Sequence, residues 1–260
     1  MNVAVVYSRE DVAGSNIAGI LRSEFGFSEK SKVPLIEYPS SLLYVDEQPK
    51  GVDLVVVASR HKSASGKSTL TTHVTGNWGT ADAGGKIGEL SIAPALYLRQ
   101  SLLLLRKYGK NLPYEISLEV THHGPTSWRI PLLFVEVGST EAQWKDMDAC
   151  RVAASVISDL VSNEPEKVDS AIGFGGPHYA PNFTECMVNV ALGHIAPKHA
   201  LEYVDGKLVS QMVEKTIPAP SFALFDWKGM KGEEKERIMA LLGECGLSWK
   251  KTSDFKSGIV

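Results

Sequence analysis

The sequence predicts an α/β fold in which a central mixed, largely parallel sheet is flanked by helices. Short β-branched apolar runs alternate with amphipathic helical segments along the chain, which is the order typical of such sheets. Several apolar runs end in a polar turn that contains histidine beside Gly, Ser or Pro. The chain has no internal repeat, low-complexity tract or clear linker, so we predict a single domain over residues 1–260.

The first part of the chain has the order strand, polar loop, helix with which an open α/β sheet begins. The strand is expected at 2–8 and the helix at 17–25, with Asp11 or Ser15 as its N-cap. The run 52–59 lacks polar alternation, which indicates a central strand buried on both faces. Further strands are expected at 34–38, 70–75, 114–121 and 131–138.

A long turn and several helices complete the predicted elements. Residues 76–86 contain four glycines and no periodicity, which predicts a long turn. The Leu-rich segment 91–108 is expected to be helical, with Pro94 in its first turn. A long helix is expected to begin at Ser139 or Thr140. The remaining expected elements are a short strand at 170–175 and helices at 184–192, 206–217 and 233–246.

Charge and cysteine content exclude several classes of protein. The net charge of −3 is incompatible with a globally basic nucleic-acid binder, although a local basic patch remains compatible with it. The three cysteines are far apart and form no CxxC pair, so neither a disulfide framework nor a cysteine zinc site is expected. The longest apolar runs are too short to span a membrane. We therefore expect a soluble cytoplasmic protein that binds neither membranes nor DNA.

All seven histidines lie between His61 and His199, and most of them follow apolar runs. In an open α/β sheet, ligands bind beyond the carboxyl ends of the strands, so these histidines are expected to share one site. A free imidazole has a pKa of about 6.5, which lets it bind a metal or move protons near neutrality. His73 lies inside an expected strand and is predicted to be a hydrogen-bonded core residue instead.

The segment THHGPT at 121–126 contains the sharpest local pattern. Adjacent residues of a strand face opposite sides, so at most one of His122 and His123 enters the site unless Gly124 and Pro125 break the strand. In a regular strand Glu119 shares the face of His123, which gives a carboxylate and imidazole pair. The candidate catalytic residues are His123, His178, Glu119 and His122.

Three other segments each allow a functional and a purely structural interpretation. Residues 63–69 resemble a phosphate-binding P-loop, but His61 occupies the position of its first glycine, so Lys67 belongs to a weaker anion site or a solvated loop. Residues 173–181 present His178 and Tyr179 on a glycine-rich turn. His194 and His199 flank a proline and cannot form an HExxH helix, but they can converge across a bend.

Two kinds of catalytic site explain the same histidines. A zinc site needs about three His or carboxylate ligands and one open position, where bound water becomes a nucleophile. The candidate metal ligands are His61, His123, His178, His194 and His199. A metal-free site with a histidine general base and backbone donors from the 173–177 loop is the alternative.

Five segments, in the same order, closely resemble the D-aminoacyl-tRNA deacylases of the archaeal and plant type. They are ASRHKSASGKSTLTTHVTGNW, EVTHHGPTS, FVEVGSTEAQW, IGFGGPHYAP and GHIAPKHAL. The resemblance extends from about Val3 to Tyr203 and implies a monomeric hydrolase that cleaves the ester of D-aminoacyl-tRNA in chiral proofreading. It further implies zinc as cofactor and a fold like those of peptidyl-tRNA hydrolase and the purine nucleoside phosphorylases.

With this resemblance, the basic and aromatic residues near the histidines become candidates for binding the acceptor end of tRNA. Cationic side chains suit its phosphates and aromatic rings its terminal adenine. The candidates are Arg60, Lys62, Lys67 and Lys198 for phosphate and Trp78 or Tyr179 for the base. The alternatives are a peptidyl-tRNA hydrolase-like esterase, a nucleoside phosphorylase-like enzyme and a non-catalytic RNA-binding module.

Overall fold

Two main sheets form the framework of the chain in the computed structural model, which describes residues 1–255. The strands are β1 (Val3–Ser8), β2 (Leu35–Tyr38), β3 (Leu54–Lys62), β4 (Thr69–His73), β5 (Ala93–Pro94), β6 (Glu115–Leu118), β7 (Leu132–Ser139), β8 (Ser170–Phe174), β9 (Ala191–Ala196), β10 (Thr216–Ile217), β11 (Phe222–Phe225) and β12 (Ser248–Lys251). The helices are α1 (Val12–Phe25), α2 (Ala95–Gly109), α3 (Glu141–Trp144), α4 (Met147–Ser162), α5 (Pro181–Cys186), α6 (Gly206–Glu214) and α7 (Gly232–Glu244).

The first sheet confirms the predicted mixed, largely parallel arrangement. Its order is β2-β1-β3-β7-β4-β6, and among its neighbouring strands β4 and β7 form the antiparallel pair. The second sheet, of order β12-β11-β8-β9, is parallel throughout. Helix α2 packs against β4 and β6 of the first sheet and against β9 of the second, so it joins the two. Helices α1 and α4 pack together on the first sheet.

Local signals explain where the helices begin. The Asp11 carboxylate caps α1 by accepting the Gly14 N–H at 2.8 Å, so this helix begins five residues earlier than the sequence pattern indicated. Thr140 caps α3 with a capping box, as expected, but α3 ends at Trp144 and Asp146 caps a new helix. The single long helix predicted after Ser139 is therefore wrong, because a second N-cap residue interrupts it.

The second sheet is where the sequence prediction fails most. The helix predicted at 184–192 is wrong: α5 ends at Cys186, and the chain enters β9 at Ala191. All six residues of β9 are buried, and a strand with both faces buried has no alternating pattern that separates it from a helix. Strands β11 and β12 have four residues each and were not predicted. None of the helices in residues 1–255 is long and apolar enough to cross a bilayer.

Candidate active site

A cavity of about 520 Å³ lies where β3 and β7 of the first sheet meet the loop that follows β8. This volume is in the range of about 300–1,000 Å³ that is typical of small-molecule sites. Its lining includes Arg60, His61, Trp78, His122, His178 and Tyr203. Strand β3 continues to Lys62, three residues further than predicted, which places His61 inside the strand opposite Gly138. A Cβ atom at position 138 would come within 2.6 Å of the His61 Cβ, so the glycine gives the imidazole its room.

The carboxylate of Glu119 lies at the centre of the site and is fully shielded from solvent. Its Oε1 is 3.1 Å from Nδ1 of His61, and its Oε2 is 2.8 Å from Nε2 of His178 and 3.4 Å from Nε2 of His122. These are ion-pair distances without hydrogen-bond geometry, so both oxygens lack a hydrogen-bond partner among the described residues. Burial alone would raise the pKa of Glu119, but contact with His178 and His61 holds it well below its usual value.

A second buried carboxylate, Glu136, joins His61 to His73. Its Oε2 lies 3.7 Å from Nδ1 of His61 and 3.6 Å from Nε2 of His73. Burial opposes ionisation of Glu136, but these two imidazoles lower its pKa to about 2. Burial likewise lowers the pKa of His61, yet the contacts with Glu119 and Glu136 outweigh it and raise that pKa to about 11. The pKa of His73 is also raised against its burial, chiefly by Glu136.

The rings of His73, His122 and His123 lie close together, in tilted or edge-on arrangements. Their ring centroids are 4.3 to 4.8 Å apart. Each ring places Nδ1 within hydrogen-bond distance of a backbone carbonyl: 3.2 Å to Val74 for His73, 2.8 Å to Val120 for His122 and 2.7 Å to Gly124 for His123. When Nδ1 donates its proton to a carbonyl, Nε2 is left with a lone pair. Burial and the neighbouring imidazoles lower the pKa of His122 and His123, which favours the neutral rings.

The regular strand alternation that would put His122 and His123 on opposite sides does not hold, and the exception stated for a broken strand applies. Strand β6 ends at Leu118, and His123 has a positive φ of 44°, so the regular alternation of a strand does not apply to these residues. Both rings line the cavity. The expected pair of Glu119 with His123 is wrong, because Glu119 contacts His122 instead.

The hydroxyl of Tyr179 lies 3.0 Å from Nε2 of His61, on the other side of the ring from the two carboxylates. Burial raises the pKa of Tyr179, but hydrogen bonds with Ser63, Ser65 and Ser139 and the charge of His61 lower it overall. Tyr179 is absent from the residues that line the cavity, so its contact with His61 is what connects it to the site.

The predicted site residues separate into those that the fold brings together and those that it does not. His61, Glu119, His122, His123 and His178 converge around the cavity. His194 is completely buried elsewhere, with Nε2 3.0 Å from the Ser91 carbonyl and Nδ1 3.3 Å from the Thr121 hydroxyl. His199 lines the cavity, but neither it nor His194 belongs to a metal-binding group among residues 1–255.

Of the residues predicted to contact tRNA, the fold places some at the cavity and others away from it. Arg60 and Lys62 line the cavity, and the Arg60 guanidinium lies 5.0 Å from the centre of the Trp144 ring. Lys67 pairs with Glu115 at 3.1 Å, and Lys198 is exposed beside His199. Trp78 has only 6% of its surface exposed, and its indole N–H donates to the Thr121 carbonyl at 2.8 Å.

Sequence reasoning missed three residues of this site. Glu136 is a charged residue in the otherwise apolar run LLFVEVG, and a buried carboxylate of this kind is a signal that could have identified it. His73 was expected to be a satisfied core residue; it is buried, but its Nε2 has no hydrogen-bond partner among the described residues. Tyr203 is 48% exposed and lines the cavity, yet nothing in its local sequence marks it.

Comparisons with known proteins agree with one another. The family model of D-aminoacyl-tRNA deacylase matches residues 48–250. The chain is 38% identical over 253 residues to a D-aminoacyl-tRNA deacylase of Korarchaeum cryptofilum, covering 94% of this chain and 91% of that one. It is 34% identical to the Thermococcus kodakarensis protein of the same name, covering 94% and 98%. A crystal structure of a conserved protein of unknown function superimposes with a TM-score of 0.91 at 30% identity, covering 99% and 98% of the two chains.

Proposed function

We propose that this chain, which belongs to the D-aminoacyl-tRNA deacylase family, hydrolyses the ester bond that joins a D-amino acid to tRNA. Water adds to the ester carbonyl, and the bond from the carbonyl carbon to the ribose oxygen breaks. The ribose oxygen leaves with a proton as the hydroxyl of tRNA, and the amino acid leaves with a free carboxylate. The enzyme is thus a hydrolase of carboxylic esters that returns mischarged tRNA to use.

One observation supports a hydrolytic site above all others, namely the buried carboxylate of Glu119. It is fully shielded from solvent, and its oxygens lie 2.8 to 3.4 Å from ring nitrogens of three histidines. Burying a carboxylate costs stability even when it is paired, so its position is explained better by chemistry than by folding. Acid–base catalysis needs such a carboxylate to fix the proton on an imidazole.

Zinc fits the donor atoms of this site. His73, His122 and His123 each offer one ring nitrogen, and these atoms lie within 4.8 Å of one another. Their Nδ1 atoms face carbonyls, an arrangement typical of histidines that bind a metal through Nε2. The buried pair Glu119 and Glu136 has two negative charges, which a divalent cation would balance. His61, Glu119 and His178 form a separate group of the same size.

We assign zinc to His73, His122 and His123, and we assign proton transfer to His61, Glu119 and His178. Zinc bound there would supply a water whose pKa is lowered to about 7. Among these residues, His178 combines contact with Glu119 with a side chain that is 39% exposed. Its Nε2 faces Glu119, so its Nδ1 is the atom that accepts a proton from water and returns it to the ribose oxygen. Tyr179 and Glu136 hold the His61 ring on opposite sides.

The rim of the cavity supplies the contacts for the acceptor end of tRNA. The cationic groups of Arg60 and Lys62 are positioned to bind its phosphates. The exposed ring of Tyr203 is better placed than the buried Trp78 to stack on the terminal base. We further propose that the protein is a monomer and that it acts in the cytoplasm. The elution volume of the pure chain in gel filtration tests the oligomeric state.

Matched D- and L-aminoacyl-tRNAs, incubated with zinc-loaded and chelator-treated protein, test this function. We expect the zinc-loaded protein to release the D-amino acid faster than the L-amino acid. The chelator-treated protein should release the D-amino acid no faster than buffer alone does. Hydrolysis of neither ester would reject the function itself. Hydrolysis of the D-ester that survives chelation would reject the zinc assignment and favour His178 acting as general base without a metal.

A further inference from the structure

A cluster of tryptophans and lysines lies outside the cavity, at the edge of the second sheet. The Lys/Trp surface consists of Trp227, Trp249, Lys235 and Lys251. The rings of Trp227 and Trp249 are nearly parallel, with an angle of 14° between their planes and 5.4 Å between their centroids. Phe225 of β11 stacks on Trp249 at 5.3 Å and anchors the pair to the sheet.

The two lysines of this surface are held over an aromatic ring. The Nζ atoms of Lys235 and Lys251 lie 4.4 and 4.7 Å from the centre of Trp227. Neither lysine forms an ion pair with a carboxylate of residues 1–255. Aromatic contacts position an ammonium group without neutralising its charge, so these charges stay available to a ligand.

Two acidic side chains close in sequence to these lysines already accept hydrogen bonds from backbone N–H groups. The Glu234 carboxylate accepts the N–H of Lys231 at 2.7 Å, and the Asp254 carboxylate accepts the N–H of Lys251 at 3.0 Å. Glu233 and Glu236 are exposed on α7, but neither is within ion-pair distance of the two lysines. The surface therefore combines two unpaired positive charges with two partly exposed tryptophan rings in a chain whose net charge is −3.

The loop 226–230 connects the Lys/Trp surface to the loop that carries His178. Trp227 follows β11 in the loop 226–230, and this loop packs on the glycines that precede His178: the Asp226 carbonyl is 3.2 Å from a Cβ built at Gly175. Lys251 ends β12 and pairs in register with Phe225. Because β8, β11 and β12 are parallel, His178 and this surface lie at the same, carboxyl-terminal edge of the second sheet.

We propose that the Lys/Trp surface binds the tRNA strand just behind the acceptor end whose ester occupies the cavity. RNA fits both properties of the surface, because its phosphates attract unpaired lysines and its bases stack on aromatic rings. An acidic protein would fit the lysines but would leave the tryptophan stack unexplained. This proposal rests on the proposed deacylase function, from which it can be separated by experiment.

The test compares two double variants that lose the same charge. The first is Lys235→Gln/Lys251→Gln. The control is Lys30→Gln/Lys32→Gln, whose exposed lysines precede β2 and therefore lie at the opposite edge of the first sheet. Each protein is assayed on full-length D-aminoacyl-tRNA and on 3′-D-aminoacyl-adenosine, which ends before the proposed contact.

For the first variant we expect a KM for full-length tRNA that is about tenfold higher at low salt, with kcat unchanged and the adenosine ester cleaved normally. Its tRNA affinity should depend less on salt, with a log–log slope smaller by about 1.4 to 1.8 for two lost phosphate contacts. Equal effects of the two variants, or equal losses on the two substrates, would overturn the proposal. Binding of uncharged tRNA, measured in parallel, separates the deacylase function from the proposed tRNA contact of the Lys/Trp surface. If the wild type hydrolyses neither ester, the deacylase function fails, and a selective loss of tRNA binding in the first variant still supports the surface.

Discussion

His194 and His61 are both buried histidines, yet their surroundings drive their charges in opposite directions. Both ring nitrogens of His194 contact neutral oxygens, and burial lowers its pKa to about 3. His61 contacts two carboxylates, which overcome its burial and raise its pKa to about 11. Close contact with two carboxylates therefore outweighs burial at His61, whereas burial determines the charge of His194.

The contrast separates a region built for stability from one built for chemistry. Around His194 every polar ring atom has a partner, as in a well-satisfied core. Around His61 the polar atoms Nε2 of His73 and both oxygens of Glu119 lack one among the described residues. Substitutions of Glu119 and the histidines around it should therefore affect activity more than stability. Substitutions around His194 should affect stability more than activity.

The largest effect on activity is expected from Glu119→Gln. An amide keeps the shape of the side chain but removes the charge that His61 and His178 face, so proton transfer loses its partner. We expect kcat/KM for D-aminoacyl-tRNA to fall about 10²- to 10⁴-fold. Glu29→Gln, at an exposed position before β2, is the matched control. A Glu119→Gln enzyme with near-normal kcat/KM would remove this carboxylate from the mechanism.

Metal content provides the next largest contrast. His123→Gln removes one proposed zinc ligand, and we expect zinc affinity to fall at least about 100-fold. His194→Gln should retain zinc, because His194 belongs to no metal-binding group of the described residues. Zinc per chain, measured by plasma emission spectrometry after dialysis against a weak chelator, checks both. Zinc loss in His194→Gln alone would reverse the assignment and restore that residue as a ligand.

For His194→Gln, the main expected effect is a loss of stability and not a loss of activity. His194→Gln breaks a buried hydrogen-bond arrangement, which we expect to cost about 1–3 kcal/mol in the free energy of unfolding, with kcat little changed. His194 has a lowered pKa in the folded state, so the folded form resists its protonation. Its contribution to stability is then present above its ordinary pKa of about 6.5 and is lost as the pH falls toward 3.

Urea unfolding at pH 7.5 and pH 5 measures this contribution. The wild type should lose more stability between the two pH values than His194→Gln does. The same loss in both proteins would mean that another group accounts for the pH dependence.

The smallest effect is expected from Tyr179→Phe. The change removes the hydroxyl that lies 3.0 Å from Nε2 of His61 but leaves both carboxylates in place. One lost hydrogen bond of about 0.5–1.5 kcal/mol corresponds to a decrease of about 2- to 12-fold in kcat/KM. A loss as large as that of Glu119→Gln would show that Tyr179 acts directly on the substrate.

The sequence predicted the site residues that follow an apolar run, and it missed Glu136 and His73, which lie inside strands. Glu119 and His178 come after apolar runs, where polar residues stand out. Glu136 and His73 lie within β7 and β4, and their positions in the site depend on the antiparallel pairing that sets His73 opposite Phe134. Such pairing is decided by packing between distant segments, which no local pattern contains.

The first sheet was likewise more predictable than the second. Its strands β1, β3 and β7 are long apolar runs, and Asp11 was among the expected caps. In the second sheet, β11 and β12 have only four residues each, and α5 and β9 lie within one apolar stretch. Whether His122 and His123 share a side depends on one positive φ at His123, which residue types alone do not specify.

The antiparallel insertion of β4 between β7 and β6 also has a consequence for how the protein is made. The residues assigned to zinc and proton transfer come from separate segments that extend from His61 to His178. Contacts over such separations form slowly during folding, because long loops must close first. We therefore expect a chain emerging from the ribosome to have no working site until His178 has left the exit tunnel and the β4 pairing is complete. Incomplete chains are then expected to be inactive toward the aminoacyl-tRNAs around them.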